Sequence, residues 1–117
     1  TCTIRSMGEG VTWETQDRER DIAAATGAWE MAKEMMADPS YDMVLMDELN
    51  ICLRYDYLNI ADVVETLNNR REMLHVIVTG RNAKDELIEA ADLVTEMGQI
   101  KHPFREQNVK AQRGVEF

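Results

Sequence analysis

Two acids, Asp47 and Glu48, close the short apolar run Met43-Val44-Leu45-Met46. Four to eight apolar residues bounded by polar ones suit a strand buried on both faces, as in a parallel sheet. Acids at the carboxyl end of such a strand lie where open α/β sheets bind ligands. Their natural partner is a hydrated Mg²⁺ on a nucleotide phosphate, because Mg²⁺ takes oxygen ligands and keeps several waters. The pattern is Walker-B-like. An acid of that kind works with a phosphate-binding loop, GxxxxGK(S/T), at an earlier strand–helix junction. The chain holds only six glycines, and neither Gly8 nor Gly10 is followed by the required lysine. It also starts without methionine, inside what reads as a strand. The expectation is therefore that an N-terminal strand–P-loop–helix unit, at least about 30 residues long, is missing from this chain.

The remaining elements must carry the acid pair. Cys2-Thr3-Ile4-Arg5 reads as a short strand running into the Gly8-Glu9-Gly10 loop. Thr15 is the expected N-cap of a long helix through about Ala37. Along it Ile22, Ala25, Trp29, Ala32 and Met36 recur at steps of three and four, forming one apolar stripe. Asp38-Pro39-Ser40 ends that helix, since proline cannot continue it. Asn59 caps a second helix, with Ile60, Val63, Val64 and Leu67 on one face. His75 to Thr79 reads as another buried strand, closed by Gly80-Arg81. Ala83, Leu87, Ile88 and Ala91 mark a third helix, Leu93 to Met97 a last strand, and Lys101 to Phe117 a polar, less regular tail. Strands alternating with helices imply a mostly parallel sheet with helices on its faces. Residues 1–117 form one domain, since this length supports a single modest core.

Composition narrows the function. The chain has 13 Lys and Arg against 22 Asp and Glu, a net charge of −9. That argues against a general binder of nucleic acid or anionic membranes, which needs a basic surface, and leaves room for a local basic pocket for phosphates. No apolar stretch reaches the length of a membrane span, and no basic-then-apolar segment marks export. Cys2 and Cys52 lack metal-ligand or disulfide spacing and read as reduced thiols, so the expected location is cytoplasmic. Met31, Met35 and Met36 read as core filler. His75 and His102 have no partner at ligand spacing.

Several blocks together carry a family resemblance. Val11-Thr12-Trp13-Glu14-Thr15-Gln16-Asp17-Arg18-Glu19 resembles the GFTWETQDRE motif of the ATP:corrinoid adenosyltransferases of the CobA/BtuR type. Asp47-Glu48-Leu49 with Tyr55-Asp56-Tyr57-Leu58 resembles that family's DEL and YDYL block. Val76 to Arg81, VIVTGR, resembles its strand ending in TGR. Lys101-His102-Pro103-Phe104 and the final KAQRGVEF resemble its C-terminal blocks. These blocks occur in the family's order and span nearly the whole chain.

The resemblance implies a P-loop, RecA-like α/β fold. It implies transfer of the 5′-deoxyadenosyl group of ATP to Co(I) of a reduced corrinoid, with release of triphosphate. ATP and the corrinoid would be substrates, Mg²⁺ the cofactor, and an electron donor such as a flavoprotein the source of Co(I). A homodimer is implied, and strand edges left open by a missing unit would also favour self-association. Glu48, with Asp47, corresponds to the Mg²⁺-associated acids. Trp13 corresponds to the aromatic residue against the lower face of the corrinoid. Val11 departs from the phenylalanine common at its position, which leaves a smaller wall there. Arg81 reads either as a contact to phosphate or the opposing subunit or as a solvated arginine after a turn, and Lys101 and Lys110 read as surface lysines unless they attract polar groups of the substrates. Tyr55 and Tyr57 fit either core packing or a substrate wall. The alternative reading is a non-catalytic corrinoid- or nucleotide-binding paralogue or fragment that needs a separate P-loop segment. A generic P-loop ATPase or a receiver domain explains fewer of the blocks.

Overall fold

The apolar stripe between the first capping signals and Pro39 produces the longest element, helix α1 (Arg18–Ala37). In the computed structural model, which describes residues 2–7 and 18–113, Ala25, Trp29, Ala32 and Met36 are buried along it, one or two turns apart. Ile22, in the same stripe, is only half-buried. Two acids, Glu19 and Asp21, lie in its first turn and suit the positive end of the helix dipole. No basic residue lies in its last turn. After α1 come strand β1 (Met43–Met46), helix α2 (Leu49–Arg54), helix α3 (Ile60–Asn68), strand β2 (His75–Val78), helix α4 (Asp85–Ala90) and the short helix α5 (Pro103–Gln107).

Two helix starts, those of α3 and α5, are capped by a side chain. Asn59 Oδ1 accepts the Ala61 and Asp62 amides at 2.9 and 3.3 Å, the expected cap of α3. His102 Nδ1 accepts the Phe104 amide at 3.1 Å, with Pro103 in the first turn of α5. Thus His102 has a capping role that its sequence position did not suggest.

β1 and β2 pair in parallel, with Met43 opposite His75, Val44 opposite Val76, Leu45 opposite Ile77 and Met46 opposite Val78. A parallel pair needs a crossover, and α2 and α3 supply it. The architecture among the described residues is thus a small α/β unit: a two-stranded parallel sheet with flanking helices. Its core gathers Trp29, Met36, Val44, Met46, Leu53, Val63, Leu67, Leu74 and Leu87. Leu53 and Val63 are fully buried. The Trp29 indole donates to Asp62 Oδ2 at 3.0 Å, which joins α1 to the first turn of α3.

Three expectations are corrected. The strands are not buried on both faces: Val44 and Met46 face the core, whereas Met43 and Leu45 are 54% and 53% exposed and Ile77 is 43% exposed. Among the described residues helices cover only one side of the pair, and the alternation of side chains across a strand leaves the other row exposed. Leu93 to Met97 is not a strand. Its side chains are exposed, and among the described residues no neighbouring strand accepts its backbone hydrogen bonds. Cys2 to Arg5 likewise forms no strand, and Ile4 is 80% exposed. The expected Thr15 cap lies outside the described residues. No helix among them is long and apolar enough to cross a membrane.

Candidate functional site

The acid pair stands where the two parallel strands end. β1 stops at Met46, whose carbonyl accepts the Thr79 amide at 3.2 Å. That bond extends the ladder one residue past β2 and brings Thr79 level with Asp47. The Thr79 hydroxyl then donates to Asp47 Oδ1 at 2.7 Å and accepts the Glu48 amide at 3.0 Å. One side chain, 31 and 32 residues further along the chain, therefore engages both acids. Glu48 itself adopts left-handed backbone angles, φ 61° and ψ 23°. Such a conformation is uncommon away from glycine, asparagine and aspartate, so it persists where surrounding bonds define it. The bond from its amide to Thr79 is one of them.

A second clasp lies beneath the first. The Asn50 amide donates to the Thr79 carbonyl at 3.4 Å. Gly80 has φ 132°, and a Cβ there would stand 2.7 Å from Asn50 Cβ. Glycine is required at this point because the two backbones approach closely in a conformation that L side chains rarely adopt. Asn50 is buried, and its Oδ1 has no hydrogen-bond partner among the described residues.

The donor set at the strand ends is all oxygen: two carboxylates and a hydroxyl. Asp47 and Glu48 are exposed. No group of three or more His, Cys, Asp or Glu side chains suited to a metal occurs among the described residues. The pair is therefore no closed protein cage. It matches what Mg²⁺ uses when it arrives on a nucleotide, namely one or two carboxylates, several waters and substrate phosphates. Thr79 occupies Asp47 Oδ1, which leaves Oδ2 outside that bond.

Arg81 follows Gly80 at the same end of the sheet, is exposed, and makes no hydrogen bond or ion pair among the described residues. Val11 and Trp13 lie outside the described residues, as does most of their block. Tyr55 and Tyr57 stack with centroids 5.6 Å apart, and Arg18 lies 5.1 Å from the Tyr57 ring centroid. Arg18 also donates to the Tyr55 carbonyl at 2.9 Å, which ties the start of α1 to the turn after α2. Between the tyrosines, Asp56 receives a 2.7 Å hydrogen bond from Lys84. That bond and the lysine charge hold its carboxyl below the usual range. Lys101 and Lys110 are exposed. Burial pushes the Cys52 thiol up, away from reactive thiolate character.

An open groove of about 630 Å³ lies elsewhere, between α1 and α3, lined by Lys33, Asp62, Glu65, Arg70 and Arg71 among others. Its two arginines are committed to the fold. Arg70 donates to the Leu67 and Leu74 carbonyls, and Arg71 to those of Met36, Asp38 and Tyr41. The groove is therefore not assigned to a substrate.

Sequence reasoning singled out Asp47 and Glu48 but gave Thr79 and Asn50 no role. The available signal was a hydroxyl residue ending the next strand, directly before glycine.

The family model of the ATP:corrinoid adenosyltransferases BtuR/CobO/CobP matches residues 1–117. The chain belongs to this family. Its similarity to individual members is high. It is 60% identical over 117 residues to a corrinoid adenosyltransferase of Sinorhizobium sp, covering 99% of this chain and 54% of that protein. It is 54% identical over 111 residues to one of Pseudomonas aeruginosa, covering 95% of this chain and 54% of that protein. Against that of Escherichia coli K12 it is 47% identical over 111 residues, covering 95% and 56% respectively. The adenosyltransferase resemblance read from the sequence blocks is borne out. The chain spans about half the length of these curated relatives.

Proposed function

We propose that this chain is part of an enzyme that transfers the 5′-deoxyadenosyl group of ATP to Co(I) of a corrinoid. In that reaction the cobalt electron pair forms the Co–C5′ bond, the C5′–O bond of ATP breaks, and triphosphate leaves with the bonding electrons. Cobalt passes formally from Co(I) to Co(III). A separate electron donor, such as a flavoprotein, would supply the reduced corrinoid. The reading rests above all on the match to the adenosyltransferase family, which runs through the strand end carrying Asp47 and Glu48.

In this reading Asp47 and Glu48 hold a Mg²⁺ ion against the polyphosphate. When bound, Mg²⁺ neutralises charge building on the leaving triphosphate. Thr79 keeps the two acids together, and Arg81 reaches either phosphate or a second subunit of a homodimer. Trp13 and Val11 wall the lower face of the corrinoid and keep an axial base from the cobalt. Holding C5′ near the cobalt and in line for displacement accounts for much of the barrier lowering, about 7 kcal/mol for well-oriented reactants. The complete fold would be a RecA-like P-loop sheet.

The test is an anaerobic assay with Mg-ATP and chemically reduced cobalamin, following loss of the Co(I) absorbance. Two polypeptides are compared: these 117 residues alone, and the same residues within a chain of the relatives' length. Turnover is expected only in the longer form, because the 117 residues contain no GxxxxGK(S/T) loop to cradle the triphosphate. Turnover by the short chain would put the phosphate site within it. Turnover by neither would favour a binding role without catalysis.

The wall at Val11 has its own expected result. Val11→Phe in the longer form should raise the rate with cobalamin by a factor of a few, since a ring excludes the axial base better than an isopropyl group. A rate equal to or below that of the parent would count against the role given to Val11.

A further inference from the structure

We infer that Thr79 is the positioning residue of the acid pair, and that its hydroxyl presents Asp47 and Glu48 together to a divalent cation. The inference rests on the proposed cation role of these acids and deepens it. Three observations carry it. The hydroxyl donates to Asp47 Oδ1 at 2.7 Å, which fixes that carboxylate in one orientation. The same oxygen accepts the Glu48 amide at 3.0 Å, where Glu48 has φ 61°. The Thr79 main chain is itself held at both ends, its amide by the Met46 carbonyl at 3.2 Å and its carbonyl by the Asn50 amide at 3.4 Å.

A hydroxyl performs both tasks through one oxygen atom. Its proton satisfies a carboxylate, and its lone pair accepts an amide. Valine, of the same shape, does neither. Serine does both, with more rotational freedom. Loss of a residue that orients metal ligands in this way typically costs about 10- to 100-fold in metal affinity. Thr79 contacts no substrate in this scheme and acts through Asp47 and Glu48.

The experiment uses Mn²⁺ with ATP as the probe, with the enhancement of water proton relaxation reporting binding, in a chain of the relatives' length as parent and in its Thr79→Val, Thr79→Ser and Asp47→Asn variants. Hydrogen exchange of the Glu48 amide is read in the same metal-free proteins. We expect the parent to bind and Asp47→Asn to lose binding. Thr79→Val should bind about tenfold more weakly, with Thr79→Ser near the parent. The Glu48 amide should exchange faster in Thr79→Val and not in Thr79→Ser, with the far-ultraviolet circular dichroism of both unchanged. Binding by Thr79→Val equal to the parent, with Asp47→Asn still deficient, would overturn the role of Thr79 and leave the acids in place. Loss in both Thr79 variants with altered circular dichroism would assign Thr79 to folding and overturn positioning. No binding by the parent, or equal binding by Asp47→Asn, would overturn the cation reading and the inference with it.

Discussion

Gly80→Ala is expected to lower the thermal unfolding midpoint by about 10 °C, from a loss of about 3 kcal/mol of stability. Two costs act together. At φ 132° an alanine is strained whatever space surrounds it. Its Cβ would also stand 2.7 Å from Asn50 Cβ and 3.3 Å from the Asn50 amide nitrogen, and backbone does not yield as a flexible side-chain tip does. The displaced segment would be the one that carries Asp47 and Glu48. The Asn50–Thr79 backbone bond should weaken, and with it the register that sets the Thr79 hydroxyl between the acids. Differential scanning calorimetry gives the midpoint, and hydrogen exchange at Asn50 gives the local effect. An unchanged midpoint would mean that Asn50 moves aside freely and that the close approach has no structural weight.

Arg71→Met should cost about 3 kcal/mol, because it removes charge-assisted bonds to main-chain carbonyls. The Arg71 guanidinium reaches the Met36 carbonyl at 3.2 Å, the Asp38 carbonyl at 3.1 Å, and that of Tyr41. The last-turn carbonyls of a helix have no partner within it. α1 has no basic side chain of its own there, so this arginine satisfies its end from the turn before β2. It thereby joins the end of α1, the loop into β1 and the approach to β2. Methionine retains the apolar stem but none of the donors. Arg71→Lys should recover less than half of the loss, since a single ammonium cannot span the three carbonyls as the planar fork does. Urea denaturation reads this as a lower midpoint at constant slope. A midpoint matching the parent in Arg71→Met would show that water replaces the guanidinium without cost.

The exposed row Met43, Leu45 and Ile77 shows how pattern reading failed on the strands. A continuous apolar run is what a strand covered on both faces requires. Its composition describes the environment for which the side chains are suited. It does not supply the second layer, and among the described residues helices cover only one face. The segment Leu93 to Met97 failed for a related reason. Alternating β-formers make a strand only if another strand accepts their amides, and none among the described residues does.

Local features were legible from sequence alone because their causes are local. The three- and four-residue recurrence of Ala25, Trp29, Ala32 and Met36 foretold the buried stripe of α1, since helical geometry places those residues on one side. Asn59 foretold the start of α3, because its side chain bonds amides two and three residues away. The acids after Met46 foretold the end of β1, and the ordered blocks foretold the family. Tertiary structure alone decided what joins distant segments. It set the parallel register of Met46 with Val78, placed the Thr79 hydroxyl between Asp47 and Glu48, seated Gly80 on Asn50, and brought Arg71 to the end of α1. A serine, threonine or arginine in a sequence has many possible partners, and only the packed chain selects one. Periodicity records which face an element buries, whereas hydrogen bonds between residues more than thirty positions apart depend on distances that exist only after the sheet has formed.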